Sequence, residues 1–308
     1  MYFFIVNKQA KSGSGLKIWN KINDYLKAAK VDFKVYNTMY KKHAMEIAGR
    51  ISGLDMKDKH IVVVGGDGTI NEVVNGISDY KNVTLSVIPT GSGNDFARGL
   101  GLPKDPIEGL KNILNCGNEE WMDLGRVTCP GTDVSRLYAI SAGVGMDALV
   151  CKKTNTSKIK KVLNALHLGK LSYLVLTVQS LFTMESEKVK VYVNDDDDCI
   201  KFKKLIFLAA MNFFAEGGGV PMAPGASAFD GELSTCIVSG INKLQAFCLL
   251  PILVAAKHEN LKPIDMINAR KLYVKAAKPM VLHTDGEYLG DFKKIVFECI
   301  PEKLRIRR

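Results

Sequence analysis

The sequence predicts two domains, a doubly wound α/β domain followed by a mostly antiparallel β domain. Three observations predict it. Apolar strand-like runs alternate with amphipathic helical stretches over residues 1 to about 123. Two of those strands run straight into glycine-rich turns that each open a helix. After Asp123 the character changes: Val189, Val191 and Val193 alternate with Lys188, Lys190 and Tyr192, the period of a half-exposed strand. A chain of 308 residues, 47% hydrophobic, has ample core for two domains.

The elements follow in order. Tyr2–Val6 reads as a strand, and Leu16–Ala29 as a helix with Ile18, Ile22, Leu26 and Ala29 on one face. Phe33–Tyr36 is a second strand. Ala44–Ile51 is a helix with Ala44, Ile47, Ala48 and Ile51 on one face. Ile61–Val64 and Leu85–Ile88 are apolar enough for buried parallel strands. A helix follows around Ile107–Asn115. In the second half, Ile200–Met211, Leu233–Val238, Lys271–Ala276, Pro279–Thr284 and Lys294–Ile300 read as strands. The stretch from about 146 to 184 reads as a helical insert.

The glycine turns carry the chemistry. Gly65-Gly66-Asp67-Gly68-Thr69-Ile70-Asn71-Glu72 follows the strand at 61–64. Glycines let backbone approach another molecule closely. A helix start supplies free N–H groups and the positive end of the helix dipole, so the natural ligand is a phosphate chain. Thr69 is expected to cap the helical stretch 70–74. Asp67 is unusual in a phosphate cradle and suits holding a metal or ribose, or orienting a water. Thr90-Gly91-Ser92-Gly93-Asn94-Asp95 repeats the arrangement after the strand at 85–88, with Asn94 or Asp95 opening the helix. In an open parallel sheet both turns lie on the ligand-binding edge. Neither turn has the Gly-Lys-Ser/Thr ending or the spaced glycines of the common nucleotide loops.

A net charge of +10 suits anionic partners. Seven cysteines without paired spacing point to a reducing compartment. The N-terminal residues lack a signal-peptide pattern, and the longest apolar run, Ala246–Ala256, is too short to span a bilayer. A cytoplasmic, soluble or peripherally membrane-associated protein is expected. Asp195–Asp198 reads as a solvated hairpin turn. Lys152, Lys153, Lys158, Lys160, Lys161 and Lys170 mix with Val162, Leu163, Leu166, Leu168, Leu171 and Leu174, a pattern that can lie on an anionic membrane or form an ordinary lysine-faced helix. Leu244–Ala256 is expected to pack in the core, with an acyl-chain pocket as the alternative.

The two glycine motifs, followed by Asp285-Gly286-Glu287, together resemble the soluble diacylglycerol kinase family, which includes sphingosine and ceramide kinases. The likeness covers essentially the whole chain. It implies an α/β nucleotide-binding domain over 1–123 and a β-sandwich-like lipid-substrate domain over 124–290. The segment 291–308 would return to the first domain. It implies ATP and Mg²⁺ as cofactors, a diacylglycerol-like lipid acceptor at an anionic membrane surface, no nucleic acid, and a possible homodimer. Residue by residue, Asn7, Ser12 and Gly13 resemble a first nucleotide loop and Thr38 a further contact. Gly65, Gly66, Asp67, Gly68, Thr69, Asn71 and Glu72 resemble the main phosphate loop, and Ser92 and Asn94 the second. Glu287 resembles the general base. Asp285 beside it would hold a water or metal, and both side chains would enter the cleft as alternate positions of one strand. Asp230, with backbone carbonyls of Ser227 and Glu232, resembles a structural Mg²⁺ site. Ser234, where a second carboxylate often follows, weakens that site. NAD kinase and a silent lipid- or nucleotide-binding regulator are the competing readings.

Overall fold

The structure is a computed structural model that describes residues 1–10, 13–115, 117–156 and 169–308. Ser12 lies outside the described residues. So do Lys158, Lys160, Lys161, Val162, Leu163, Leu166 and Leu168 of the basic segment, and the side chains of Lys170, Leu171 and Leu174.

The first half is doubly wound. β1 (Tyr2–Val6), β2 (Phe33–Asn37), β3 (Lys59–Gly65) and β4 (Val83–Pro89) are parallel, in the order β2-β1-β3-β4. Their sequences read as apolar because helices cover both faces. On one face α1 (Ser14–Ala28) and α5 (Pro106–Leu114) pack Trp19, Ile22, Leu26 and Leu110 against Phe4, Val62 and Val64. On the other, α2 (His43–Ser52) and α3 (Asp67–Gly76) pack Ile47, Ile51, Ile70 and Val73 against Phe3, Ile5, Ile61 and Val63. The short α4 (Asp95–Gly99) closes the second glycine turn. Buried Lys59 ends its path at the C-terminus of α2, where its Nζ donates to the carbonyls of Ser52 (2.7 Å) and Leu54 (2.9 Å). The negative end of a helix dipole is where a buried ammonium is tolerated.

The second half is mostly antiparallel and joins the same sheet. It contains β5 (Glu119–Thr128), β6 (Ser135–Tyr138), β7 (Ser141–Gly145), β8 (Glu187–Val193), β9 (Cys199–Leu205), β10 (Phe207–Met211), β11 (Leu233–Val238), β12 (Ile264–Ala269), β13 (Lys271–Thr284) and β14 (Glu287–Arg307). Val127, Tyr138, Val144, Val191, Leu208 and Leu272 meet in one core. A second core lies under α6 (Met146–Thr156), α7 (Gly169–Thr183) and α8 (Lys243–Val254). The acidic run lies at the β8–β9 turn, with Asn194 and Asp195 at positive φ.

Two expected strand boundaries change. The run 200–211 is two strands, because Lys204 adopts a φ of 52° and the chain then leaves β8 to pair with β7 and β11. The runs 271–276 and 279–284 are one strand. Pro279 lies within a register irregularity between Lys275 and Met280, where the ladder needs no N–H from it.

β14 links the halves. Its first residues pair with β13, its second half with β5, and Arg305 and Ile306 also run parallel to Thr84 and Leu85 of β4.

Candidate active site

All four parallel strands end at one edge, where ligands bind in open α/β sheets. The chain leaves β1 toward β2 on one side and resumes at β3 on the other, so a crevice opens between β1 and β3. Asn7 and Thr69 face each other across it, Asn7 Nδ2 donating to Thr69 Oγ1 at 3.1 Å. A cleft of about 420 Å³ occupies this edge. It is lined by the expected residues Asn7, Thr38, Gly66, Gly68, Thr69 and Glu72, and also by Gly91, Tyr40 and Lys41.

The floor is glycine against glycine. A Cβ on Gly66 would come within 2.9 Å of Gly91 Cα, and one on Gly91 within 2.7 Å of Gly66 Cα. A Cβ on Gly68 would meet nothing within 4 Å, so this backbone faces open space. Helix α3 starts at Asp67 with extended Gly66 as its cap, three residues before the expected start. Thr69 therefore lies inside the first turn and is not the cap. The N–H groups of Asp67 and Gly68 are left without an intrahelical acceptor, and Gly68 lines the cleft.

Several expected nucleotide contacts are engaged elsewhere. Asp67 caps α4, its two oxygens accepting from Asp95 N (3.2 Å) and Phe96 N (3.1 Å). Burial, with Asp95 beside it, pushes the Asp67 carboxyl up to about 6. Glu72 caps α2, accepting from Lys42 N (2.8 Å) and Ala44 N (3.2 Å). Asn71 is buried and turns to the second half: its Nδ2 donates to Leu137 O (3.2 Å) and Asp285 Oδ2 (2.7 Å), and Arg136 donates to its Oδ1. Asn94 grips Gly91 by both its N–H and its carbonyl. Gly65, Ser92 and Gly13 do not line the cleft, although Gly13 at φ 93° shapes the start of α1.

Asp285 and Gly286, at φ 45° and 80°, form a two-residue hairpin turn between β13 and β14, with Thr284 paired to Glu287. The two carboxylates are thus not alternate positions of one extended strand. Asp285 points inward and accepts from Asn71 Nδ2 and from the N–H groups of Ala139 (2.9 Å), Ile140 (2.8 Å) and Ser141 (3.1 Å). It is an anchor for the turn, already engaged by protein donors where a water or metal was expected. Burial raises its pKa, and those donors oppose the rise. Glu287 stays half exposed and pairs at 2.6 Å with Lys41 of the β2–α2 loop, which lines the cleft. Nothing in the sequence marked Lys41; the β2–α2 loop places it.

Behind the turn lies a buried group the sequence did not signal. His283 Nε2 meets Asp147 Oδ2 at 2.9 Å, and Ser141 Oγ donates to Glu216. The ligating atoms of Asp147, Glu216 and His283 all lie within 4.8 Å of one another. Burial pushes Glu216 up to about 7, with His283 opposing. A Cβ on Gly143 would collide with Asp147, so glycine there makes room for the group. The loop at Asp230 is tied down differently. Gly231 N donates to buried Asp123 (2.7 Å), and Asp230 Oδ1 accepts from Glu232 N (3.1 Å). Among the described residues, Asp230 and Glu232 gather no third histidine, cysteine or carboxylate ligand, and Ser227 Oγ serves the local turn by accepting from Phe229 N.

Residues 1–127 match the diacylglycerol kinase catalytic domain, and residues 140–308 match the YegS C-terminal NAD kinase beta sandwich-like domain. The chain belongs to the diacylglycerol kinase-like lipid kinase family. It is 30% identical over 292 residues to the YtlR protein of Bacillus subtilis (strain 168), which carries a provisional lipid kinase name, covering 94% of each chain. It is also 30% identical over 231 residues to a diacylglycerol kinase of the same strain, covering 75% of this chain and 71% of that one. A provisionally named diacylglycerol kinase from Bacillus anthracis str. Sterne shares the fold, with a TM-score of 0.76 at 23% identity over 99% of this chain and 94% of the other. Membership makes a lipid kinase-type enzyme the family-level description. Among the described residues no helix is long and apolar enough to cross a membrane.

Proposed function

We propose that this chain transfers the γ-phosphate of ATP to a hydroxyl of a diacylglycerol-like lipid at a membrane surface, giving phosphatidic acid or a related phospholipid. One observation carries the reading: Glu287, delivered by the hairpin of the second half, pairs at 2.6 Å with Lys41, which lines a cleft floored by two touching glycine turns.

Phosphoryl transfer asks the protein mainly for alignment and charge neutralisation. The free N–H groups at the start of α3 suit the phosphates of ATP, and Gly68 leaves room for close approach. Asn7, Thr38 and Tyr40 line the remaining wall. Mg²⁺ would be held near Asp67 and Asp95, the carboxylates that the two glycine turns bring together, and would supply neutralisation of the phosphate oxygens. Glu287 accepts the proton of the attacking hydroxyl. Its ion pair with Lys41 is exposed and therefore weak, so the lysine is free to turn to a phosphate when one arrives. Asp285, held by those donors, anchors the turn that carries Glu287.

The test is transfer of label from γ-labelled ATP with Mg²⁺ into mixed micelles of diacylglycerol, sphingosine, ceramide or monoacylglycerol, with NAD in parallel. Label in a chloroform-soluble product supports the reading, and its mobility names the acceptor. Label in NAD alone defeats it.

A further inference from the structure

Helix α8 has two apolar faces. Ala246, Leu249 and Leu253 point into the core with Phe207, Met211 and Cys236. On the opposite side Leu244, Phe247, Cys248, Pro251, Ile252 and Ala255 stand exposed at helical spacing. Leu244 is 66% exposed and Val254 61%. No residue from 244 to 256 carries a charge. The expected burial of this segment is thus true of one face only.

The patch continues onto α7. Phe182 is 49% exposed and its ring lies 6.2 Å from that of Phe247. A contiguous exposed apolar surface of this kind marks an interaction site. A capping box, Asn242 with Gln245, fixes the start of the helix, so the face is held rigidly toward solvent.

The rim is basic. Lys243 opens α8 and Lys257 follows it, while exposed Lys203 and Lys204 lie beside Gly240, whose N–H donates to Lys203 O. Glu259, two residues beyond Lys257, and exposed Asp265 are acidic. Glu185 and Glu187, near the end of α7, are already paired with Lys278. An apolar face with a lysine rim suits an anionic lipid surface, whereas a second copy would bring like charges together.

The patch also connects to the hairpin that carries Glu287. Lys243 Nζ donates to Phe182 O (2.7 Å), and Lys153 Nζ to Thr183 Oγ1 (2.7 Å). On the same helix Lys152 lies 4.5 Å over the ring of Tyr288, the neighbour of Glu287. We propose that the outward face of α8, with the adjoining end of α7, docks on an anionic phospholipid bilayer. The choice of a bilayer as occupant rests on the lipid-kinase reading; the docking itself does not require turnover.

The test is flotation of the full chain with vesicles of phosphatidylcholine, alone or mixed with phosphatidylglycerol, without nucleotide. Binding to the mixed vesicles is expected. Phe247→Glu and Ile252→Glu should each weaken it about tenfold or more while far-UV circular dichroism and melting stay unchanged, since each removes one apolar anchor. A Phe247→Trp variant should show emission quenched by brominated lipid beyond that of the wild type, whose Trp19 and Trp121 lie in the first half of the chain. Because these readouts need no phosphoryl transfer, a protein that binds vesicles yet labels no lipid would defeat the kinase reading and leave docking standing. Unaltered binding in the glutamate variants, or no quenching, would overturn the docking face. So would a dimer in sedimentation that Phe247→Glu converts to monomer, which would assign the patch to a second copy.

Discussion

Glu287 and Asp285 differ in surroundings more than in chemistry. One is half exposed against a lysine; the carboxylate of the other is held by four N–H donors. Their substitutions should therefore fail in different ways. Glu287→Gln should lower label transfer to lipid by about 10²–10⁴-fold, the usual worth of a positioned base, with ADP affinity by calorimetry little changed. Asp285→Asn turns an amide toward backbone donors and should cost about 1–3 kcal/mol in urea unfolding, with activity falling as the hairpin loosens. His60 gives a pH signature. Burial, then the nearby Arg307, pushes it down to about 3, and it is satisfied by Ser86 Oγ at 2.9 Å. The folded state thus favours the neutral ring. Its contribution is present above 6.5 and is lost as pH falls toward 3, because the unfolded chain takes up the proton first. Asp67 and Glu216, with raised values, act in the opposite sense over the overlapping range. The sign is therefore read from a difference: below pH 6.5 wild-type stability should fall more steeply than that of His60→Gln, as followed by thermal melts.

Among the elements, the two glycine turns are coupled parts. Gly66 and Gly91 touch, Asp67 caps the helix behind the second turn, and Asn94 grips Gly91. Gly66→Ala should push the turns apart and weaken ADP binding about tenfold or more, because the phosphate N–H groups lose their common focus, and should lower the melting midpoint as well, since the clash is with backbone. This coupling also shows what was legible in the sequence. Strand, glycine turn and helix are local signals, so both turns and the parallel strands beneath them could be read directly. Which carboxylates face the cleft could not. Asp67, Asn71 and Glu72 stand in the motif itself, yet two of them cap helices α4 and α2 and the third reaches Asp285, partners distant in sequence. Lys41 and the Asp147–Glu216–His283 group carry no local pattern at all. β7, Ser-Ala-Gly-Val-Gly, was missed for a related reason: its small residues allow close packing, as Gly143 does against Asp147, but they give no strand-like periodicity.

Across the whole molecule, β14 carries the catalytic candidate at one end and completes the first sheet at the other. Deleting Arg305–Arg308 removes the pairing with β4, the Ser86–Arg307 hydrogen bond and the Arg308–Glu120 ion pair. Such a truncation should turn a single unfolding transition into two, resolved by calorimetry, because β14 then keeps its pairing with β13 but loses its hold on β4.

The same strand sets a timetable for biosynthesis. Ser86 and its partner Arg307 are 221 positions apart, and a ribosome adds about 5–20 residues each second. For many seconds the nascent nucleotide-binding sheet therefore has β4 as an open edge, ready to pair with the wrong chain. It is closed only when the last strand emerges. A chaperone that shields β4 during that interval should raise the yield of active protein more than one acting after release.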